Sequence, residues 1–191
     1  MRQRIAAAAA RMMAEDGIDD YALAKRKAAR QLGAQDTQSL PGNDEIESYL
    51  RSYQTLYQGE EQRARLHFLR SQALAVMQRL KPHRPYLCGP VLNGTAGRYG
   101  EIDLQVFTDD AKAVELYLLN QGIPYDLIEQ RHFAGDQLRT VPVLRIEWEG
   151  VQVNIAVFSA NDERAVLKTS PVGRPIERAG IPVLTQLLAD Q

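Results

Sequence analysis

One cysteine, Cys88, is present in 191 residues. A lone thiol excludes an intrachain disulfide framework and any multi-cysteine zinc site. An excess of one charge sign is missing as well: Lys and Arg total 23 against 24 Asp and Glu, a formal net charge of -1. No global basic field advertises a nucleic-acid coat, which leaves only local basic patches for such contacts. Histidine is scarce. His67, His83 and His132 share no metal-ligand spacing with one another or with Cys88, so each reads as a surface or helix-flanking residue. No apolar run approaches the roughly 20 residues that a membrane span needs. The opening MRQRIAAAAARMMAEDG imitates a secretion signal with its basic head and alanines. Its apolar stretch is short and weakly hydrophobic, however, and Arg11 and Glu15 carry it on as an amphipathic helix. With 45% hydrophobic and 25% charged residues, the expectation is a soluble, cytoplasmic, globular protein.

What is present changes character between Pro82 and Pro85. Before it, the pattern is helical. Alanine, the best helix former, dominates Arg2 to Glu15, and Gly17 offers a left-handed cap. Asp19 or Asp20 caps a second helix, Tyr21 to Leu32, which carries Lys25, Arg26, Lys27 and Arg30 and stops at Gly33. The segment GAQDTQSLPGND reads as loop. Asn43 or Asp44 opens a third helix with Ile46, Tyr49, Leu50, Tyr53 and Leu56 at helical spacing. The series Tyr49, Tyr53 and Tyr57 reads there as a packing stripe. A fourth helix, from about Glu60 to Leu80, sets Leu66, Leu69, Ala73, Val76, Met77 and Leu80 on one face.

After the prolines, Tyr86 to Cys88 is a short apolar run before a glycine-rich loop. Ile102, Leu104 and Val106 then alternate with Glu101, Asp103 and Gln105. Asp109 or Asp110 caps a helix that Gly122 closes, and Ile123 to Phe133 reads as a strand with a turn at Gly135 and Asp136. Val141 to Trp148 and Val151 to Phe158 flank Glu149-Gly150, a tight hairpin turn. From Ser170 onward the chain reads as loop, then a short helix, Val183 to Ala189. The expected class is α+β: residues 1–64 a helical extension, 65–165 a mixed or antiparallel sheet with helices, and 166–191 a tail.

The chemistry concentrates at Glu101 and Asp103. A strand period of two sets both carboxylates on one face while Ile102 and Leu104 point into a core. Two adjacent acids repel, and a divalent cation such as Mg²⁺ relieves that repulsion. Upstream, Gly94, Gly97 and Gly100 let backbone N–H groups approach an anion, and Arg98 can pair with phosphate oxygens. Acids for metals beside a phosphate-accepting turn are the parts of an in-line nucleotidyl transfer.

The order Leu87-Cys88-Gly89-Pro90, then VLNGTAGRYG, then Glu101-Ile102-Asp103-Leu104 resembles the nucleotidyltransferase superfamily that includes DNA polymerase β and the tRNA CCA-adding enzymes. The likeness spans about residues 65–160, and the hairpin VPVLRIEWEGVQVNIAVF is similar to the one that carries the family's third acid. That acid falls on Asn154. The resemblance implies Mg²⁺-dependent transfer of a nucleoside monophosphate from an NTP to a hydroxyl acceptor on RNA, protein or a small molecule. It implies Glu101 and Asp103 as metal ligands, Asn154 completing the catalytic set, and Gly89, Pro90, Gly94, Thr95, Gly97 and Arg98 as nucleotide contacts. Glu147, which shares a strand face with Arg145, is the substitute third ligand. Two departures weigh against activity. Pro90 supplies neither an N–H nor a hydroxyl, and Asn154 brings a neutral carbonyl in place of a charge. They favour an alternative: a degenerate transferase fold that binds nucleotide, RNA or a protein partner without catalysis.

A third reading concerns the N-terminal pair of helices, which is similar to the start of TetR-type repressors. Its basic second helix can contact DNA phosphates, hold RNA, or simply present a solvated face. Cys88 reads as a small buried hydrophobe, and Arg131 and Arg139 as solvated strand residues with a secondary reach toward phosphates.

Overall fold

The computed structural model describes residues 1–34, 39–57, 59–170 and 173–190. Parts of the expected loop after Gly33 and of the expected tail lie outside these. The chain divides into two units. The first contains Met1–Leu66 and Gly94–Gly100, the second His67–Asn93 and Glu101–Gln191.

The first unit contains α1 (Arg2–Asp16), α2 (Tyr21–Gln31), α3 (Asn43–Tyr57) and the start of α4 (Gly59–Arg79). Alanine does more here than favour a helix. Ala6, Ala9, Ala10 and Ala14 of α1 and Ala24, Ala28 and Ala29 of α2 are buried with Ile5, Met13, Ile46 and Leu50 in one cluster. Small side chains let the helix axes approach closely, so dispersion contacts replace the bulk that larger residues would bring. Asp20 caps α2, its carboxylate accepting from the Leu23 N–H at 2.9 Å.

The tyrosine stripe expected on α3 packs only in part: Tyr53 lies half-buried against this cluster, but the fully inward positions belong to other residues of α3. Its buried residues are Ile46, Leu50 and Gln54, whereas Tyr57 is 72% and Leu56 75% exposed. A polar residue takes the third inward position because its carboxamide has a partner. The Gln54 Nε2 donates to the Thr95 carbonyl at 3.1 Å.

The second unit is built on one sheet of seven strands in the order β6-β3-β4-β5-β2-β1-β7. In chain order these are β1 (Tyr86–Cys88), β2 (Ile102–Phe107), β3 (Asp126–Ala134), β4 (Gln137–Trp148), β5 (Val151–Phe158), β6 (Leu167–Lys168) and β7 (Arg178–Ala179). Pairing is antiparallel except between the central β2 and β5. The helices α5 (Gly89–Asn93), α6 (Ala111–Asn120) and α7 (Ile181–Ala189) complete it, so the class is α+β, with N-terminal helices preceding a mixed sheet in the chain.

Period-two alternation separates the two faces of the sheet. Ile102, Leu104, Val106, Val153, Ile155, Val157, Leu144 and Ile146 are all buried on one face. Each such side chain is worth about 1.5–3 kcal/mol of transfer free energy. Trp148 shares that face, and the Arg79 guanidinium at the end of α4 lies 4.8 Å from its ring centroid. The opposite face carries the acids at one end. At the other it carries a cluster of Phe107, Phe158, Val141, Val143, Ala156 and Leu167.

Four features depart from the expected pattern. The first three residues of the expected glycine-rich loop, Val91 to Asn93, belong to the helical turn α5. The tail contributes β6 and β7 to the sheet edges, and α7 begins at Ile181 with Pro182 in its first turn. β4 starts at Gln137, paired against Ala134 across a two-residue turn. His132 is core rather than surface, 8% exposed with its ring centroid 5.2 Å from that of Phe158 in an edge-on arrangement.

Candidate active site

Asp103 and Asn154 are register partners on β2 and β5, so their side chains leave the same face one strand apart. Glu101 lies two residues before Asp103 and shares that face. All three are half-buried. The Asn154 Nδ2 donates to Glu101 Oε2 at 2.9 Å and to Asp103 Oδ1 at 3.0 Å, so one nitrogen reaches both carboxylates. The Asn154 Oδ1 in turn accepts from the Gln152 Nε2 at 3.1 Å.

At Gly89 the backbone passes close to this pair. Its φ is +72°, a region that side-chain-bearing residues rarely adopt, and an added Cβ would sit 2.8 Å from Asp103 Oδ2. The absence of a side chain is therefore required twice over. Pro90 follows within the first turn of α5, where a missing N–H breaks no helical hydrogen bond. The carbonyls of Val91 and Leu92 accept from the Arg70 guanidinium at 3.0 and 2.8 Å. Arg70 is 5% exposed, and burial lowers its pKa. A cation on the last carbonyls of so short a helical turn holds that turn in place.

Across the sheet, Arg145, Asn154, Asp103, Cys88 and Arg178 form one row of register partners. Cys88 is buried and its thiol donates weakly to the Asp103 carbonyl at 3.4 Å. Burial first, and the Asp103 charge second, push the thiol pKa far up, so it is a packing residue and not a nucleophile. Arg178 turns toward the aromatic cluster, its guanidinium carbon 4.9 Å from the Phe107 centroid and 5.3 Å from that of Tyr86. Gln105, on the acid face two residues beyond Asp103, is 2% exposed. Its carboxamide oxygen has no hydrogen-bond partner among the described residues.

The structure thus brings Glu101, Asp103, Asn154 and Gly89 together. It does not add Glu147 to them. Glu147 is the register partner of Gln152, and among the described residues no group of three or more His, Cys, Asp or Glu side chains is placed to hold a metal ion.

Gly94, Thr95, Gly97 and Arg98 belong to the first unit. There the Thr95 and Ala96 carbonyls accept from Gln54 and Gln62, and the Gly100 N–H closes a turn on the Gly97 carbonyl at 3.0 Å. Thr95, Gly97 and Gly100 are buried. Arg98 and Tyr99 are exposed and line a cavity of about 630 Å³ with Glu15, Glu61, Gln62 and Arg65. The basic residues of α2 present a solvated face, with Arg26, Lys27 and Arg30 exposed and Lys25 donating to Asn43 at 2.7 Å. Arg139 is paired with Asp162 at 3.6 Å.

No family model matches the chain, and no curated protein matches it. Among solved structures, a cytoplasmic RNA terminal U-transferase is 22% identical over 51% of this chain and 28% of its own, with a TM-score of 0.30. A structure of an RNA terminal uridylyl transferase is 20% identical over 51% of this chain and 30% of its own, with a TM-score of 0.31. The chain spans under a third of the length of either. Among the described residues no helix is long and apolar enough to cross a membrane.

Two residues that matter here carried no sequence signal. Arg70 falls at helical spacing from Leu66, Ala73 and Met77, on the edge of the apolar stripe of α4, but nothing in the spacing names the carbonyls it meets. Gln152 shares the strand period of Asn154, but a glutamine in a strand is uninformative until the amide geometry is seen.

Proposed function

We propose that the chain is a nucleotidyltransferase-like protein that transfers a nucleoside monophosphate from an NTP to a hydroxyl acceptor on RNA, protein or a small molecule, using Mg²⁺. The observation that carries this reading is the meeting of Glu101 and Asp103 at one nitrogen of Asn154, beside the side-chain-free turn at Gly89. Two carboxylates that meet at one amide nitrogen are a donor set that suits a hard divalent cation. Asn154 fits the same set through its carbonyl oxygen, in one of its two amide orientations. When bound, Mg²⁺ would neutralise the phosphates and position them for in-line attack. Glu101 and Asp103 hold it on this reading, while the missing side chain of Gly89 lets the backbone of the turn pass close beside Asp103.

A second reading has one observation in its favour. Asn154 offers N–H groups to both acids, which satisfies them without a cation and suits a fold that binds nucleotide, RNA or a protein partner without turnover. Incubation with labelled NTPs and Mg²⁺ separates the two. Transfer that falls by more than about 100-fold in Asp103→Asn supports catalysis at this site. Equal transfer by that variant removes the assignment. Calorimetric nucleotide binding with no transfer supports the second reading.

A further inference from the structure

We infer that Gln152 and Asn154 form a two-position amide relay that turns over as a pair and switches Glu101 and Asp103 between a hydrogen-bonded, cation-free state and a cation-holding state. The inference rests on the metal-dependent reading above and adds to it a positioning residue, Gln152.

The argument begins with what each atom can do. An amide nitrogen has no lone pair to offer a cation, and an amide oxygen has no proton to offer a carboxylate. In the structure the Asn154 Nδ2 faces both carboxylates, at 2.9 and 3.0 Å, and its Oδ1 faces the Gln152 Nε2 at 3.1 Å. The chain of donors therefore runs in one direction, from Gln152 through Asn154 to the acids. This arrangement offsets the repulsion of two carboxylates on one strand face without any ion.

A cation between the acids demands the reverse. Asn154 must present its oxygen, and its nitrogen then swings toward Gln152. If Gln152 stayed as it is, two N–H groups would face each other across a half-buried gap. The cost of such a mismatch is that of leaving both groups without acceptors. Gln152 avoids it by turning as well and presenting Oε1. Both terminal torsions have broad, roughly two-fold wells, and oxygen and NH₂ are nearly the same size. The pair can reverse without repacking the sheet. A separate observation points to the cation-holding state. Gln105 keeps a buried carboxamide oxygen without a partner on the same face of β2, an acceptor suited to the water shell that Mg²⁺ retains.

The test is a double-mutant cycle on the full chain, read by Mn²⁺ affinity from electron paramagnetic resonance. Glutamate at 152 can only accept, so it holds the Asn154 nitrogen and turns the Asn154 oxygen toward the acids. Its negative charge also attracts the cation directly, and Asn154→Ala isolates that contribution. Gln152→Glu should tighten Mn²⁺ about tenfold with Asn154 present, but only about two- to threefold in the Asn154→Ala background. Equal factors in both backgrounds overturn the relay and leave the metal-dependent reading standing. Side-chain amide nuclear magnetic resonance supplies a check that needs no variant. Titration with Mg²⁺ should shift the Asn154 and Gln152 NH₂ signals with a single dissociation constant, and a shift of Asn154 alone overturns the relay. Absence of binding by the wild type and by Asn154→Asp, which restores a third acid, defeats the metal-dependent reading and the relay with it.

Discussion

Asn154 holds two acids by being neutral and a donor, and that defines what its replacement does. Asn154→Asp removes two hydrogen bonds and adds a third carboxylate at the same point. Without divalent cation the variant is expected to lose about 1–3 kcal/mol of stability, the usual cost of unpairing half-buried polar groups, with more from repulsion. Addition of millimolar Mg²⁺ should return most of the lost melting temperature in the variant and raise that of the wild type by less, since the wild type has one carboxylate fewer to hold the cation. Thermal unfolding followed by circular dichroism, with and without the cation, checks both halves. His132 gives a second prediction at this scale. Burial lowers its pKa, and its Nδ1 has no partner among the described residues, so the folded chain keeps it neutral. The unfolded chain protonates it as pH falls below about 6.5. Stability is therefore intact above that pH and lost as pH drops from there toward the lowered folded value. His83 is shifted in the same direction by burial, against the opposing charge of Asp110. His132→Phe, which keeps an aromatic ring against Phe158, should flatten the dependence of the urea midpoint on pH between 5 and 6.5. An unchanged slope would mean that the imidazole carries no part of it.

At the scale of single elements, the β1–α5 turn is constrained by both conformation and contact. Gly89→Ala puts a methyl group at positive φ and against the Asp103 carboxylate, 2.8 Å from Oδ2 before any shift. A loss of about 1–2 kcal/mol is expected, larger than the usual cost of glycine replacement because both strain and collision apply. Urea unfolding measures it, and a neutral result would mean that the turn relaxes freely. The neighbouring elements show what a sequence can disclose. The inward face of α4, the hairpin at Glu149-Gly150 and the strand that carries Glu101 and Asp103 were all legible, because each is set by local period or turn chemistry. Both turn residues do take positive φ, 49° and 74°, as a two-residue hairpin of the favoured kind requires. β6 and β7 were not legible. At two residues each they have no period of their own and exist only because the exposed edges of β3 and β1 accept them. Gln54 in the core of the first unit was hidden for the same reason. Its partner, the Thr95 carbonyl, is 41 residues away. Of the candidate site, Glu101 and Asp103 follow from strand alternation and Asn154 from the hairpin resemblance, while Gln152 and Arg70 depend on partners that only the folded chain brings near.

For the whole molecule, the division into two units does not follow the order of the chain. Residues 94–100 leave the second unit after α5, belong to the first, and return at Glu101. The loop has little regular structure of its own. One turn closes between Gly100 and Gly97, and the carbonyls of Thr95 and Ala96 are held by the carboxamides of Gln54 and Gln62. Two such bonds, each worth about 1 kcal/mol net, are the polar restraint on the segment. The sheet is held otherwise, by buried aliphatic side chains along β2, β4 and β5 and by a ladder that needs nothing from residues 1–66. A chain beginning at residue 67 keeps that ladder but lacks Gln54 and Gln62. Hydrogen exchange read by mass spectrometry should then separate the two parts. Exchange across 94–100 is expected to quicken by about tenfold or more relative to the full chain, as local opening loses those two bonds. Amides of β2, β4 and β5 should keep their slow exchange in the same sample. Uniformly fast exchange would mean that the sheet depends on the helical unit for its stability. An unchanged rate across 94–100 would mean that the loop is ordered by its own turn and not by the two carboxamides.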